Sequence, residues 1–115
     1  METQTPKKIK KIYLSGPITG LPKWVYKNAF FRAEQQLREK GFFVFNPARC
    51  EIENGEWEDY MKFDLKNLLT CDAIFLLRGW KASRGAKLEY DLAKVLKMEI
   101  IEDKKDERLK GQNNG

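Results

Sequence analysis

The 115-residue chain contains no histidine. That absence removes Ser/His and Cys/His triads and the usual zinc ligand sets together. Acid–base or nucleophilic steps then fall to carboxylates, tyrosine, lysine or cysteine. Cysteine is nearly absent too: Cys50 and Cys71 are the only two, and they do not form a CxxC pair. No signal-peptide pattern and no apolar run of spanning length is found, so a cytoplasmic protein with reduced thiols and no membrane association is expected. Neither GxGxxG nor GxxxxGK[ST] occurs. No cofactor or metal is expected. A Lys/Arg stripe interleaved with aromatics is missing as well, so nucleic acid is not an expected partner.

Hydrophobic residues make up 42% of the chain and aromatics 12%, which is enough for one packed domain and argues against global disorder. A domain of this size is marginal on its own, which makes a homo-oligomer, a dimer or higher, the expected state. The formal charge of +5 comes from 22 basic and 17 acidic residues. Much of the excess lies in Lys7, Lys8, Lys10 and Lys11, read here as a solubilising edge rather than an anion-attracting one.

Patterning predicts β-α-β-α-β-α-β. Ile9–Leu14 reads as a strand, broken by Ser15-Gly16-Pro17 and Gly20-Leu21-Pro22. A helix follows from Trp24 to Lys40, with Ala29, Phe30, Ala33 and Leu37 near one face, Glu34 elsewhere and Gly41 as the stop. Phe42–Phe45 suits a buried parallel strand. A second helix runs from Glu56 to Thr70 with Met61, Leu65, Leu68 and Leu69 inward, and Asp72–Leu77 is the clearest buried strand. A third helix, Arg84 to Lys97, carries Leu88, Leu92, Val95 and Leu96 as its expected core stripe, and Glu99–Glu102 reads as an edge strand. The fold class is therefore α/β: a small Rossmann-like or flavodoxin-like parallel sheet of four to five strands with helices on both faces. One domain is expected over residues 9–102, flanked by a flexible N-terminus (1–8) and a flexible charged tail (103–115).

Ligands of such sheets bind beyond the carboxyl ends of the strands. The loops at that edge are Ser15–Leu21, Asn46–Gly55 and Arg78–Ser83. Glycines in the first let the backbone approach a ligand, although a tight strand-to-helix turn explains them equally well. Ser83 is suited to cap the third helix, whose N-terminal N–H groups can hold an anion. Glu89, beside Leu88 and close to Ala86 and Ala93, is either a carboxylate at the edge of the core or one aimed into a cleft. Asp64 lies at the margin of another apolar stripe, and two carboxylates on neighbouring helices can serve retaining chemistry at an anomeric carbon. Asp72 suits a backbone-bonding role where the chain enters the sheet. Tyr13 can either pack or hold a glutamate. Trp57, Tyr60 and Trp80 flank the loops, where a ring could stack on a nucleobase.

The stretches YLSGPITG, NPA at Asn46–Ala48, WEDYMKFDL, CDAIFLLRGW and SRGAKLE, taken in this order, resemble the nucleoside 2-deoxyribosyltransferase superfamily. In detail they look like a compact, often phage- or prophage-borne branch of uncharacterised function. The resemblance covers residues 9–101. It implies that Glu89, after Ser83-x-Gly85, is a nucleophile toward C1′ of a deoxyribonucleoside or nucleotide, and that water or a second base resolves the glycosyl-enzyme. It further implies that Asp64 positions or protonates the departing base, that Tyr13 orients the glutamate, and that Ser15, Gly16, Pro17, Ile18, Ser83 and Gly85 contact substrate. Ser83 stands where nucleoside transferases carry an acid, which resembles the related deoxynucleotide N-hydrolases that accommodate a 5′-phosphate. The first-loop arginine of those hydrolases has no counterpart in Ser15–Gly20. The C-terminal residue that a neighbouring subunit lends to the transferases is not matched either. The expected ligand is a small-molecule nucleotide or nucleoside, and the expected reaction is N-glycosidic hydrolysis or transfer. The alternatives are a non-catalytic nucleotide-binding or sequestering module and an interaction domain.

Overall fold

The computed structural model describes residues 8–103. Apart from Lys8 and Asp103, the segments expected to be loose, 1–8 and 103–115, lie outside the described residues. The elements alternate as the patterning predicts: β1 (Lys11–Ser15), α1 (Lys23–Glu39), β2 (Phe43–Phe45), α2 (Trp57–Leu68), β3 (Ala73–Leu76), α3 (Arg84–Val95) and β4 (Glu99–Glu102). Short 3-10 turns at Pro47–Arg49 and Trp80–Ala82 precede α2 and α3. No described helix is long and apolar enough to cross a membrane.

The four strands form one parallel sheet in the order β2-β1-β3-β4. After β2 the chain crosses to the far side of β1, so the loops leaving β1 and β3 diverge and open a crevice at their carboxyl ends. Side chains alternate along β1 between two cores. Ile12 and Leu14 pack with Phe30, Ala33 and Leu37 of α1, whereas Tyr13 joins Leu68, Ile74 and Ala93 on the opposite face. Helices therefore cover both faces. The Asp72 carboxylate accepts from the backbone N–H groups of Lys10 and Lys11 at 2.9 and 3.0 Å, tying the start of β3 to β1. This is the backbone-bonding role its position suggested.

Four features depart from the sequence pattern. The strand expected to be buried at Phe42–Phe45 is the edge strand β2, with Phe43 exposed. Of the expected stripe of α3 only Leu92 packs, partly buried, against the core; Leu88, Val95 and Leu96 are exposed, and Ala86, Glu89 and Ala93 are buried. Small side chains let the helix lie close against the sheet, and that proximity brings Glu89 within reach of β1. In α2, Asp64 is buried while Leu69, the capping residue just past the helix end, is exposed. In α1, Glu34 is buried at 3% exposure despite its polar character. It accepts from Arg38, Asn46 and Arg49 at 2.7, 2.9 and 3.0 Å, which satisfies the burial.

Candidate functional site

The crevice holds a cleft of about 420 Å³, bounded by the loop after β1, the segment from Pro47 to Glu53, α2 and the start of α3. Glu89 lies in its lining and is only 5% exposed. Both of its oxygens are held from β1. Tyr13 Oη donates to Oε2 at 2.7 Å, and Ser15 Oγ donates to Oε1 at 2.6 Å. Residues 13 and 15 are two apart on a strand, so they present both hydroxyls to the same face. Burial pushes the Glu89 carboxyl up to about 7; the Ser15 and Tyr13 bonds oppose that rise, and the nearby charge of Asp64 adds to it. The Tyr13 phenol is held well above its ordinary range, by burial first and then by the charges of Glu89 and Asp64. It therefore acts at neutral pH as a donor, not as a phenolate.

Asp64 also lines the cleft, from α2. Burial alone pushes its carboxyl up to about 7. Its Oδ1 is buried and has no hydrogen-bond partner among the described residues. An unsatisfied buried carboxyl oxygen in a cleft wall is costly unless the group is protonated or a ligand meets it. The site thus presents one carboxylate gripped by two hydroxyls and one carboxyl left open, each poised to change charge near neutrality.

Of the loop residues expected to contact substrate, Gly16, Ile18, Ser83 and Gly85 line the cleft. Ser15 is fully buried and meets Glu89 instead, and Pro17 borders a separate shallow groove with Leu21 and Arg78. Ser83 caps α3, its hydroxyl accepting from the Ala86 N–H at 3.1 Å. Gly85 allows close approach of α3 to α2, since a Cβ there would stand 3.1 Å from Met61 Sδ. Trp57 and Tyr60 form an aromatic wall, and the Arg84 guanidinium lies 3.8 Å above the Trp57 ring. Trp80, the third aromatic considered for stacking, packs on Tyr90 and donates to Glu102, outside the cleft. Cys50 lines the cleft, but burial raises its thiol, as do Asp64 and Glu51, so it is not an activated nucleophile. Among the described residues no group of three or more His, Cys, Asp or Glu side chains is placed to hold a metal ion.

Gly16 is required by space. A Cβ at that position would lie 2.9 Å from Leu77 Cβ, on the loop leaving β3. Gly16→Ala must therefore push apart the two loops that frame the crevice, with an expected loss of about 1–3 kcal/mol. A lower urea midpoint at unchanged slope would show it.

A family model described as a domain of unknown function, DUF4406, matches residues 10–102. The chain belongs to the DUF4406 family. No curated protein matches it. The DUF4406 match runs from the start of β1 through β4, so Tyr13, Ser15, Asp64, Ser83, Gly85 and Glu89 all lie within the matched span.

Sequence reasoning gave no role to Glu34 or Cys50, and it placed Ser15 on the ligand rather than on Glu89. The one available signal for Glu34 was its spacing to Arg38, one helical turn on, which ordinarily marks an exposed ion pair.

Proposed function

We propose that this DUF4406 protein cleaves or transfers at the N-glycosidic bond of a nucleoside or nucleoside 5′-monophosphate, using Glu89 as nucleophile and Asp64 as acid–base partner. The observation that carries the reading is the double grip of Tyr13 and Ser15 on a buried glutamate that faces a cleft beside a second, open carboxyl. The order of motifs that resembles the nucleoside 2-deoxyribosyltransferase superfamily supports the same assignment.

In the first step an oxygen of ionised Glu89 attacks C1′. The C1′–N bond breaks, its electron pair goes to the base nitrogen, and the Asp64 carboxyl delivers a proton to the departing base. Tyr13 and Ser15 hold the attacking group in place and offset part of the burial that opposes its ionisation. In the second step water, or a second base, attacks C1′ of the glycosyl ester and gives its proton to Asp64. Glu89 leaves as a carboxylate. Trp57 and Tyr60 offer ring faces for a base. The N-terminus of α3, with Ser83 and Gly85, offers backbone donors for a 5′-hydroxyl or 5′-phosphate.

Incubation with a panel of deoxynucleosides and their monophosphates, with and without an acceptor base, should release free base detectable by chromatography. The first step needs Glu89 ionised and Asp64 protonated. Rate should therefore rise as pH climbs toward 7 and fall above it, in a narrow bell whose flanks belong to the pair rather than to either residue. No base from any substrate would defeat the catalytic reading, and a rate that keeps rising through pH 9 would defeat the role given to Asp64.

A further inference from the structure

One wall of the cleft is the segment from Pro47 to Glu53, which contains a 3-10 turn but no α-helix, and such a wall is only as well defined as its anchors. At its far end the Ile52 N–H donates to Tyr60 Oη at 2.9 Å. At its near end everything converges on Glu34. Asn46 Nδ2 and Arg49 Nε both donate to Glu34 Oε1, at 2.9 and 3.0 Å. Asn46 in turn accepts from the Ala48 N–H through Oδ1 at 2.9 Å, which starts the 3-10 turn whose Pro47 and Ala48 line the cleft. The other oxygen, Oε2, is used within α1 itself, by Arg38 at 2.7 Å. One oxygen therefore serves the cleft wall and the other the helix.

We infer that Glu34 is the positioning residue of the cleft, fixing the Pro47–Ala48 wall through Asn46 and Arg49. The inference rests on the reading that this cleft holds the substrate. Glu34 does not line the cleft; it acts through the turn. Burial pushes its carboxyl up, but the bonds from Asn46, Arg38 and Arg49 outweigh burial and hold it below the ordinary range, so it stays charged and binds both loop donors at neutral pH. Loss of the Oε1 contacts should free the wall to sample open arrangements, weakening ligand binding without altering the reacting groups on β1, α2 and α3.

Cys50 provides a readout that needs no catalysis. It follows the turn, its N–H donates to Pro47 O, and its side chain lines the cleft. Cys71, buried just beyond α2, serves as the internal reference. Iodoacetamide labelling resolved by mass spectrometry should show the Cys50 rate rising about tenfold relative to Cys71 in Glu34→Gln, as expected for a loop opening made easier by one decade. Asn46→Ala cuts the same link from the loop side and should behave alike. Arg38→Met removes the Oε2 partner and a long bond of 3.4 Å to the Val44 carbonyl, and leaves both Oε1 contacts in place. It should lower Tm and speed Cys71 labelling, yet leave the Cys50 rate itself unchanged. In base release, Glu34→Gln and Asn46→Ala should raise KM while leaving kcat within about twofold, as for lost uniform binding. An unchanged Cys50 rate in both loop-side variants, or an equal rise in Arg38→Met, would overturn the inference. Failure of the wild-type protein to release base would sink the chemical reading alone, because the thiol rates still decide the role of Glu34.

Discussion

Glu89→Gln should lose base release by a factor of at least about 10³ while keeping its fold, because the amide can still bridge Tyr13 and Ser15 but has no charge with which to attack C1′. The substitution is close to isosteric, so the packing of α3 on β1 is preserved. Single-turnover assays and circular dichroism on the same preparation would check both halves. Residual activity within tenfold of the parent would remove Glu89 from the role of nucleophile. The site also dictates a second signature. A carboxyl at about 7 in the folded chain, against an ordinary 4.5, costs stability as pH rises through that interval. Folded protein holds a proton that the unfolded chain has released, so the contribution is full below pH 4.5 and lost above 7. Glu89→Gln should accordingly show a flatter dependence of stability on pH than the parent.

Asp64→Asn should move activity and stability in opposite directions. Base release should drop by about 10²–10⁴, the usual worth of a general acid. Stability should rise at pH 8, by on the order of 1–3 kcal/mol, because the variant removes a buried carboxylate with an unpartnered oxygen. The sign follows from the raised carboxyl: its folded value of about 7 exceeds the ordinary 3.8, so the cost builds up as pH rises between these two values and is complete above 7. Below pH 4 the acid is protonated in both states and the advantage of asparagine should vanish. Urea denaturation at about pH 3.5 and at pH 8 would read the difference. Equal stability at both pH values would mean that Asp64 is satisfied in solution by a partner the chain itself provides.

The order and type of every strand and α-helix could be read from the sequence, because each carries its own period and its own stop; the two 3-10 turns were read as loops. Orientation was harder. In α3 the large apolar residues suggested an inward stripe of Leu88, Leu92, Val95 and Leu96, yet only Leu92 reaches the core and the helix buries Ala86, Glu89 and Ala93. Hydrophobic patterning ranks leucine above alanine, whereas the sheet rewards close approach and two short hydrogen bonds to Glu89. Glu34 illustrates the same limit: its three partners come from α1 and from the loop after β2, and only the fold brings them together. At the site, the Tyr13–Glu89 relation was anticipated through family resemblance. The Ser15 contact joins residues 74 positions apart in sequence, and no local pattern encodes it.

The alternation along β1 couples assembly to readiness. Ile12 and Leu14 fill one hydrophobic layer, and Tyr13 and Ser15, interleaved with them, grip Glu89 on the other side. A slip of one residue in the pairing of β1 would turn the two hydroxyls into the aliphatic layer and point isoleucine and leucine at the carboxylate. A sheet mispaired by one residue cannot then keep a half-working site, so correct strand registration is itself the step that arms the glutamate.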